Sequence, residues 1–360
     1  MTDNILEGVR VLEIGGGVPA AYATRWMAGF GAEVVRVEGP GDALTADEAT
    51  CLLPGKLRIN ADDSQLRELA MRADILVEDT KPGTLAAHGL DIASLRAANP
   101  ALVAVSITPF GQDGPAAAYE ATNAVAFAMG GIMSLTGHPS RAPLINAGSQ
   151  AYYLSGLNGF SAAVTAYYGA LQQGEGDHID ISMQECQAGM LELYGPMAEY
   201  TGEGPHKRSG NHVRAVWGIY PCADGYAGVC CLERQVKAFF NLVGDPVLQE
   251  ERFQDRAQRA EHDDELQAIL YPWFLSHTKG ELLELGAQHR VPIGAVLTPS
   301  DLLQNESLHE RHFFDSAETA AGTAEFPGRP FLGLPWRAGP LDEAGASTGD
   351  VLSRWVEVSA

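Results

Sequence analysis

The chain has 360 residues, 46% of them hydrophobic and 19% charged, which supplies apolar material for more than one core and excludes a wholly disordered protein. Its 24 Lys plus Arg against 46 Asp plus Glu give a formal charge of −22, which repels nucleic-acid backbones and anionic lipid but leaves room for an anionic ligand held by a few cations and N–H groups. The cysteines are Cys51, Cys186, Cys222, Cys230 and Cys231, an odd set without a C-x-x-C pair, so neither a disulfide framework nor a metal is expected.

The opening MTDNILEGVR lacks the basic start and apolar core of a secretion signal, and no run reaches the roughly 18 apolar residues of a membrane span. A cytoplasmic protein without a membrane partner is expected. VRVLEI then predicts a strand over 9–14, Gly15-Gly16-Gly17 a tight turn, and the next residues a helix over 19–30 and a strand over 33–37. Pro19 suits a first helical turn and Gly31 a helix end, which marks out a βαβ unit.

The alternation continues with a helix over 64–73, the strand ADILVED, a helix over 92–98 and the strand ALVAVSI, as expected of a parallel sheet covered on both faces. Residues 116–170 are rich in small side chains, and AVAFAMGGIM and GLNGFSAAVTAYYGALQQG have the spacing of closely packed helices. GEGDHIDISMQE reads as a strand running into a helix, and TGEGPHKRSGNH (201–212) as a linker. Beyond it, IYPCADGYAGVCCLE predicts a hairpin about Asp224-Gly225, and a helical stretch runs on to 287. The expected fold class is α/β: a Rossmann-like doubly wound large domain over 1–212, to which 326–360 returns, plus a smaller α+β domain over 217–325.

Gly15-Gly16-Gly17-Val18-Pro19-Ala20 fits the loose form G-x-G-x-x-A, and Glu38 closes the following strand. On its own this is a dinucleotide fingerprint, and it is the whole basis for reading a nicotinamide-dependent reductase. The surrounding sequence points to another nucleotide. VRVLEIGGGVPAAYATRWMAGFGAEVVRVEGPG (9–41), VEDTKPG (77–83) and VSITPFGQDGP (105–115) occur in fixed order, followed by VPIGAVLTPSDLLQNESLHERHFF. ADILVEDTKPG matches the pattern A-D-[VI]-[LV]-[VI]-E-N-[FY]-[RK]-P-G. Together these stretches resemble the family III CoA-transferases of the CaiB/BaiF type, which include formyl-CoA transferase and α-methylacyl-CoA racemase. The likeness runs over residues 6–316.

The resemblance implies a homodimer of interlocked rings, with acyl-CoA between the large lobe of one subunit and the small lobe of the other. It makes Arg36, Lys56, Arg58 and Lys81 candidates for the coenzyme A phosphates, since such a ligand needs cations and free N–H groups near the strand ends. Gly16 and Val18 on the glycine turn are further binding candidates, and Gly111, with Gly114, belongs to a loop at the thioester end.

Transferases of this family use an Asp as a covalent relay, which is why the acyl acceptor must itself be a carboxylate. The resemblance places that Asp near 149–152, where this chain has Ser149, Gln150, Ala151 and Tyr152, and no Asp or Glu occurs from Ala121 to Gly174. Gln150 can donate a hydrogen bond to a thioester oxygen but cannot act as nucleophile or base. Glu120 falls near the position of the racemase His and is a candidate base or relocated nucleophile, and Glu233 in GVCCLERQ matches a Glu carried in the family's small lobe. His138 reads as a solvated loop residue, and Tyr152 and Tyr153 as packing residues. The expected function is acyl-CoA transfer to a carboxylic acid. Racemase, isomerase or lyase chemistry by α-proton abstraction, or acyl-CoA binding without turnover, are the alternatives.

Overall fold

The computed structural model describes residues 4–39, 42–191, 193–201, 208–319 and 322–356. Contacts divide the chain into two units, one formed by 1–133, 145–201 and 307–360 and the other by 134–144 and 202–306.

The first unit is built on six strands, β1 (Arg10–Ile14), β2 (Glu33–Val37), β3 (Leu57–Ile59), β4 (Ile75–Glu78), β5 (Val103–Thr108) and β6 (His178–Ser182). They form one sheet in the order β3-β2-β1-β4-β5-β6, every neighbouring pair parallel. Period-two alternation assigns each strand residue to a face. Val11, Val34, Val77 and Val105 pack beneath the helices α1 (Val18–Gly29) and α4 (Gln150–Gln173). Leu12, Val35 and Leu76 face the opposite layer, which contains α2 (Asp63–Arg72), α3 (Ile92–Ala98) and the C-terminal α8 (Thr348–Trp355). The doubly wound α/β reading is therefore observed, and the strand order reverses between β1 and β4.

Small residues set how closely α1 and α4 approach. A Cβ on Gly156 would lie 2.6 Å from the Pro19 carbonyl oxygen, and one on Gly159 would lie 2.7 Å from Ile107. Helix α4 begins at Gln150, earlier than the apolar spacing suggests, because the Asn123 side chain accepts from the N–H groups of Ala151 and Tyr152 at 2.9 and 3.4 Å.

The second unit carries an antiparallel sheet, ordered β10-β9-β8-β7, from β7 (His212–Arg214), β8 (Trp217–Cys222), β9 (Gly225–Cys230) and β10 (Ile293–Ala295). The hairpin of β8 and β9 has Ala223 and Asp224 in its loop. Its core joins Tyr220, Phe239, Phe240 and Phe274, with the Tyr220 and Phe274 rings stacked at 4.3 Å, and includes residues of α5 (Glu233–Val243), α6 (Asp263–Leu275) and α7 (Lys279–His289).

The division differs from the expected one in three places, the first being that residues 208–212, expected in the large domain, belong to the second unit. Residues 134–144 cluster with the second unit, where the Arg208 guanidinium donates to the carbonyls of Ser134, His138 and Arg141. The second unit ends at Glu306 rather than 325. The hairpin of β11 (Phe314–Thr319) and β12 (Gly322–Pro327) belongs to the first unit, fastened there by the Arg25 bond to the Pro327 carbonyl and the Trp336 indole N–H on Asp315. Of the expected linker, residues 202–207 lie outside the described residues.

Candidate active site

In an open parallel sheet, ligands bind outside the carboxyl ends of the strands where the strand order reverses. Here that point is occupied by the glycine turn after β1 and the segment Asp79–Pro82 after β4. They border a cavity of about 460 Å³, together with Pro109 after β5, Met183 after β6, Tyr152 of α4 and residues 117–121. Its charged lining consists of Glu48, Asp79, Glu120 and Lys81.

The glycine turn encloses a carboxylate supplied by the chain itself. Asp79 accepts from the Gly17 N–H at 3.3 Å and the Ala20 N–H at 3.2 Å, so it satisfies donors at the start of α1. Cβ atoms on Gly15 and Gly17 would meet its two oxygens at 2.1 and 2.2 Å. Two of the three glycines therefore make room for Asp79, and an anionic phosphate would meet a carboxylate at this turn. Shielding from bulk water pushes the Asp79 pKa up to about 7. The Ala20 and Gly17 N–H groups oppose that shift, while Glu13 and Glu78 reinforce it.

Beneath α1 lies the opposite arrangement. Register sets Glu13 of β1 beside Arg36 of β2, and the two form a buried ion pair. Lys56 Nζ reaches the same carboxylate at 2.8 Å and also donates to the Thr24 hydroxyl and the Ala21 carbonyl, each at 2.7 Å. Burial pulls Glu13 upward, but Lys56 and then Arg36 more than offset it and hold the pKa at about 2. Burial brings Lys56 down to about 8 against the pull of Glu13.

These contacts locate the residues singled out in the sequence. Arg36 is 1% exposed, with Glu13 and Asp42 as ion partners, and Lys56 is equally buried. Arg58 donates to Glu38 at 2.6 Å and to the Asp342 carbonyl at 3.0 Å. Their charges are engaged by the protein. Lys81 instead stands exposed at the cavity, paired with Glu120, which lowers the Glu120 pKa. Val18 lines this cavity, whereas Gly16 borders a second one of about 330 Å³ that also carries Glu38, Asp42 and Asp63. Gly111 lies against Asp180 in the loop after β5, at φ +88°. Gln150 is exposed on the first turn of α4.

Glu233 opens α5 in the second unit, and both its oxygens accept from Arg259 at 2.6 and 2.7 Å. The His138 ring lies 2.8 Å from the Ser140 hydroxyl. Tyr152 borders the cavity, and Tyr153 packs edge-on against Tyr22. Sequence reasoning overlooked Asp79, although it stands where the pattern quoted above has Asn. Among the described residues, no group of three or more His, Cys, Asp or Glu is placed to hold a metal ion, and no helix is long and apolar enough to cross a membrane.

The model for CoA-transferase family III matches residues 6–47 and 56–341. This chain belongs to CoA-transferase family III. Succinate–glutarate CoA-transferase of Agrobacterium fabrum is 28% identical over 345 residues, covering 88% of this chain and 86% of its own length. Formyl-CoA:oxalate CoA-transferase of Streptomyces coelicolor is also 28% identical, over 86% of this chain and 84% of its own. Among solved structures, a CaiB/BaiF family protein from Brucella suis superposes with a TM-score of 0.87 at 25% identity, covering 98% of this chain and 100% of that one. In this member of CoA-transferase family III the glycine turn thus packs around a carboxylate, and the dinucleotide fingerprint has a structural explanation in Asp79.

Proposed function

We propose that this protein transfers coenzyme A from an acyl-CoA to a free carboxylic acid, acting as an interlocked homodimer. The observation that carries the reading is the family match across nearly the whole chain, supported by relatives named for succinate, glutarate and oxalate exchange. The acyl-thioester end enters the cavity at the strand-order reversal, whose size suits part of such a ligand. Val18 and the exposed Lys81 are the contacts favoured for the substrate. Arg36, Lys56 and Arg58, already paired with carboxylates, act by fixing the strand ends. Glu120 sets the position of Lys81, and Gln150, Glu233, Gly16 and Gly111 remain supporting candidates around the acyl group.

The test is incubation of the purified protein with succinyl-, glutaryl- and formyl-CoA, each with free succinate, glutarate, malate and oxalate, in D₂O, with thioesters read by mass spectrometry. New thioesters of the added acids are expected. Deuterium in an otherwise unchanged acyl-CoA would replace this reading with α-proton chemistry. Binding without either product across the panel would overturn it in favour of a coenzyme A binder.

A further inference from the structure

Three carboxylates border the cavity, and their surroundings separate them. Glu48 is held to the Thr45 N–H at 2.9 Å and the Thr45 hydroxyl at 3.1 Å, as part of the capping box of the helix Ala46–Leu52. Glu120 is 72% exposed and neutralised by Lys81, so water and a cation both weaken it as a nucleophile. Asp79 has no ion partner among the described residues, borders the cavity against the glycine turn, and has its orientation fixed by two backbone N–H groups. A half-buried carboxylate held in one orientation by backbone N–H groups, with no cation paired to it among the described residues, is the most reactive of the three.

The sequence supplies a second, independent observation. The chain lacks any Asp or Glu from Ala121 to Gly174, where the relay carboxylate is expected, yet it carries Asp at 79, where the pattern has Asn. The first turn of α4, which spans the expected relay position, is closed instead by the neutral amide of Asn123, which also donates to the Gly148 carbonyl at 3.2 Å.

We propose that Asp79 is the nucleophile through which coenzyme A passes from donor to acceptor. This rests on the transferase reading. An Asp79 oxygen bonds to the thioester carbonyl carbon, the C–S bond breaks, and coenzyme A leaves as thiolate, giving a mixed anhydride. The thiolate attacks Cγ of Asp79, and the donor acid departs as a carboxylate carrying an oxygen that began on Asp79. The acceptor carboxylate then attacks Cγ of the aspartyl thioester and expels the thiolate, which takes the acceptor acyl group from the new anhydride. One acceptor oxygen stays on Asp79, so each turnover exchanges an oxygen and leaves the carboxylate restored.

The experiment uses the wild-type protein, a donor acyl-CoA that it turns over and an acceptor acid labelled with oxygen-18 in its carboxylate, followed by digestion and peptide mass spectrometry. Oxygen-18 on Asp79 is the expected result. Label on Glu120 or Glu48, or transfer with no label in the protein, would overturn the assignment while leaving the transferase reading intact. Absence of transfer by the wild type under any donor would fail that reading first. In parallel, Asp79→Asn is expected to lower kcat by about a thousandfold or more while acyl-CoA still binds. Retained transfer in this variant would also overturn the assignment.

Discussion

Two carboxylates lie near α1, and they differ in one respect. Glu13, under the helix, is surrounded by Lys56, Arg36 and Thr24 and stays ionised to a pKa of about 2. Asp79, at the helix tip, has N–H dipoles and two further carboxylates around it and no ion partner among the described residues, and its pKa rises to about 7. Burial pushes both upward, and cations reverse the sign in one case alone. A fixed, fully paired charge is suited to holding strands in register. A carboxyl near its midpoint at neutral pH is suited to chemistry.

Removing a cation from the first region is the strongest way to break this contrast. Lys56→Met leaves Glu13 with one ion partner inside the protein and is expected to cost about 3 kcal/mol in urea unfolding, because a buried charge loses its counterpart. Adding Glu13→Gln to Lys56→Met should recover part of that loss, and strict additivity of the two would show that the pair is not coupled.

A smaller effect of opposite sign is expected at the helix tip. A folded-state pKa above the ordinary carboxylate value means that the folded protein binds the extra proton, so Asp79 lowers stability as pH rises from about 4 to about 7. Asp79 faces Glu13 on β1, Glu78 on β4 and Tyr152 on α4, none of them a cation. Asp79→Asn removes the titration. The variant should gain at least about 1 kcal/mol over wild type at neutral pH and above, and the gain should vanish near pH 4. A pH-independent difference in the urea midpoint would contradict this account. The smallest effect concerns Glu120→Gln, which should leave the urea midpoint unchanged because its pair with Lys81 is solvated.

Much of the first unit was legible in the sequence, since buried parallel strands are short apolar runs and their helices carry turn and cap residues at the ends. The strand Glu33–Val37 and the helix Ile92–Ala98 have the expected bounds. The ownership of charge was not legible. The resemblance made Arg36 and Lys56 candidate ligand cations, and the carboxylate that pairs with both lies on another strand, where register sets it. Asp79 stood in plain view, but the N–H groups that bind it lie 59 and 62 residues away. The tail after 306 was misassigned as far as 325 because its attachment depends on Arg25 and Trp336, contacts that no local pattern records.

The enclosure of Asp79 by the glycine turn also bears on synthesis. The first βαβ unit contains its strand, turn and helix by residue 37, but the acceptor for the opening N–H groups of α1 is residue 79. On the ribosome, α1 must therefore emerge with its first turn bonded to water, and that turn is completed only when β4 has left the exit tunnel and docked beside β1.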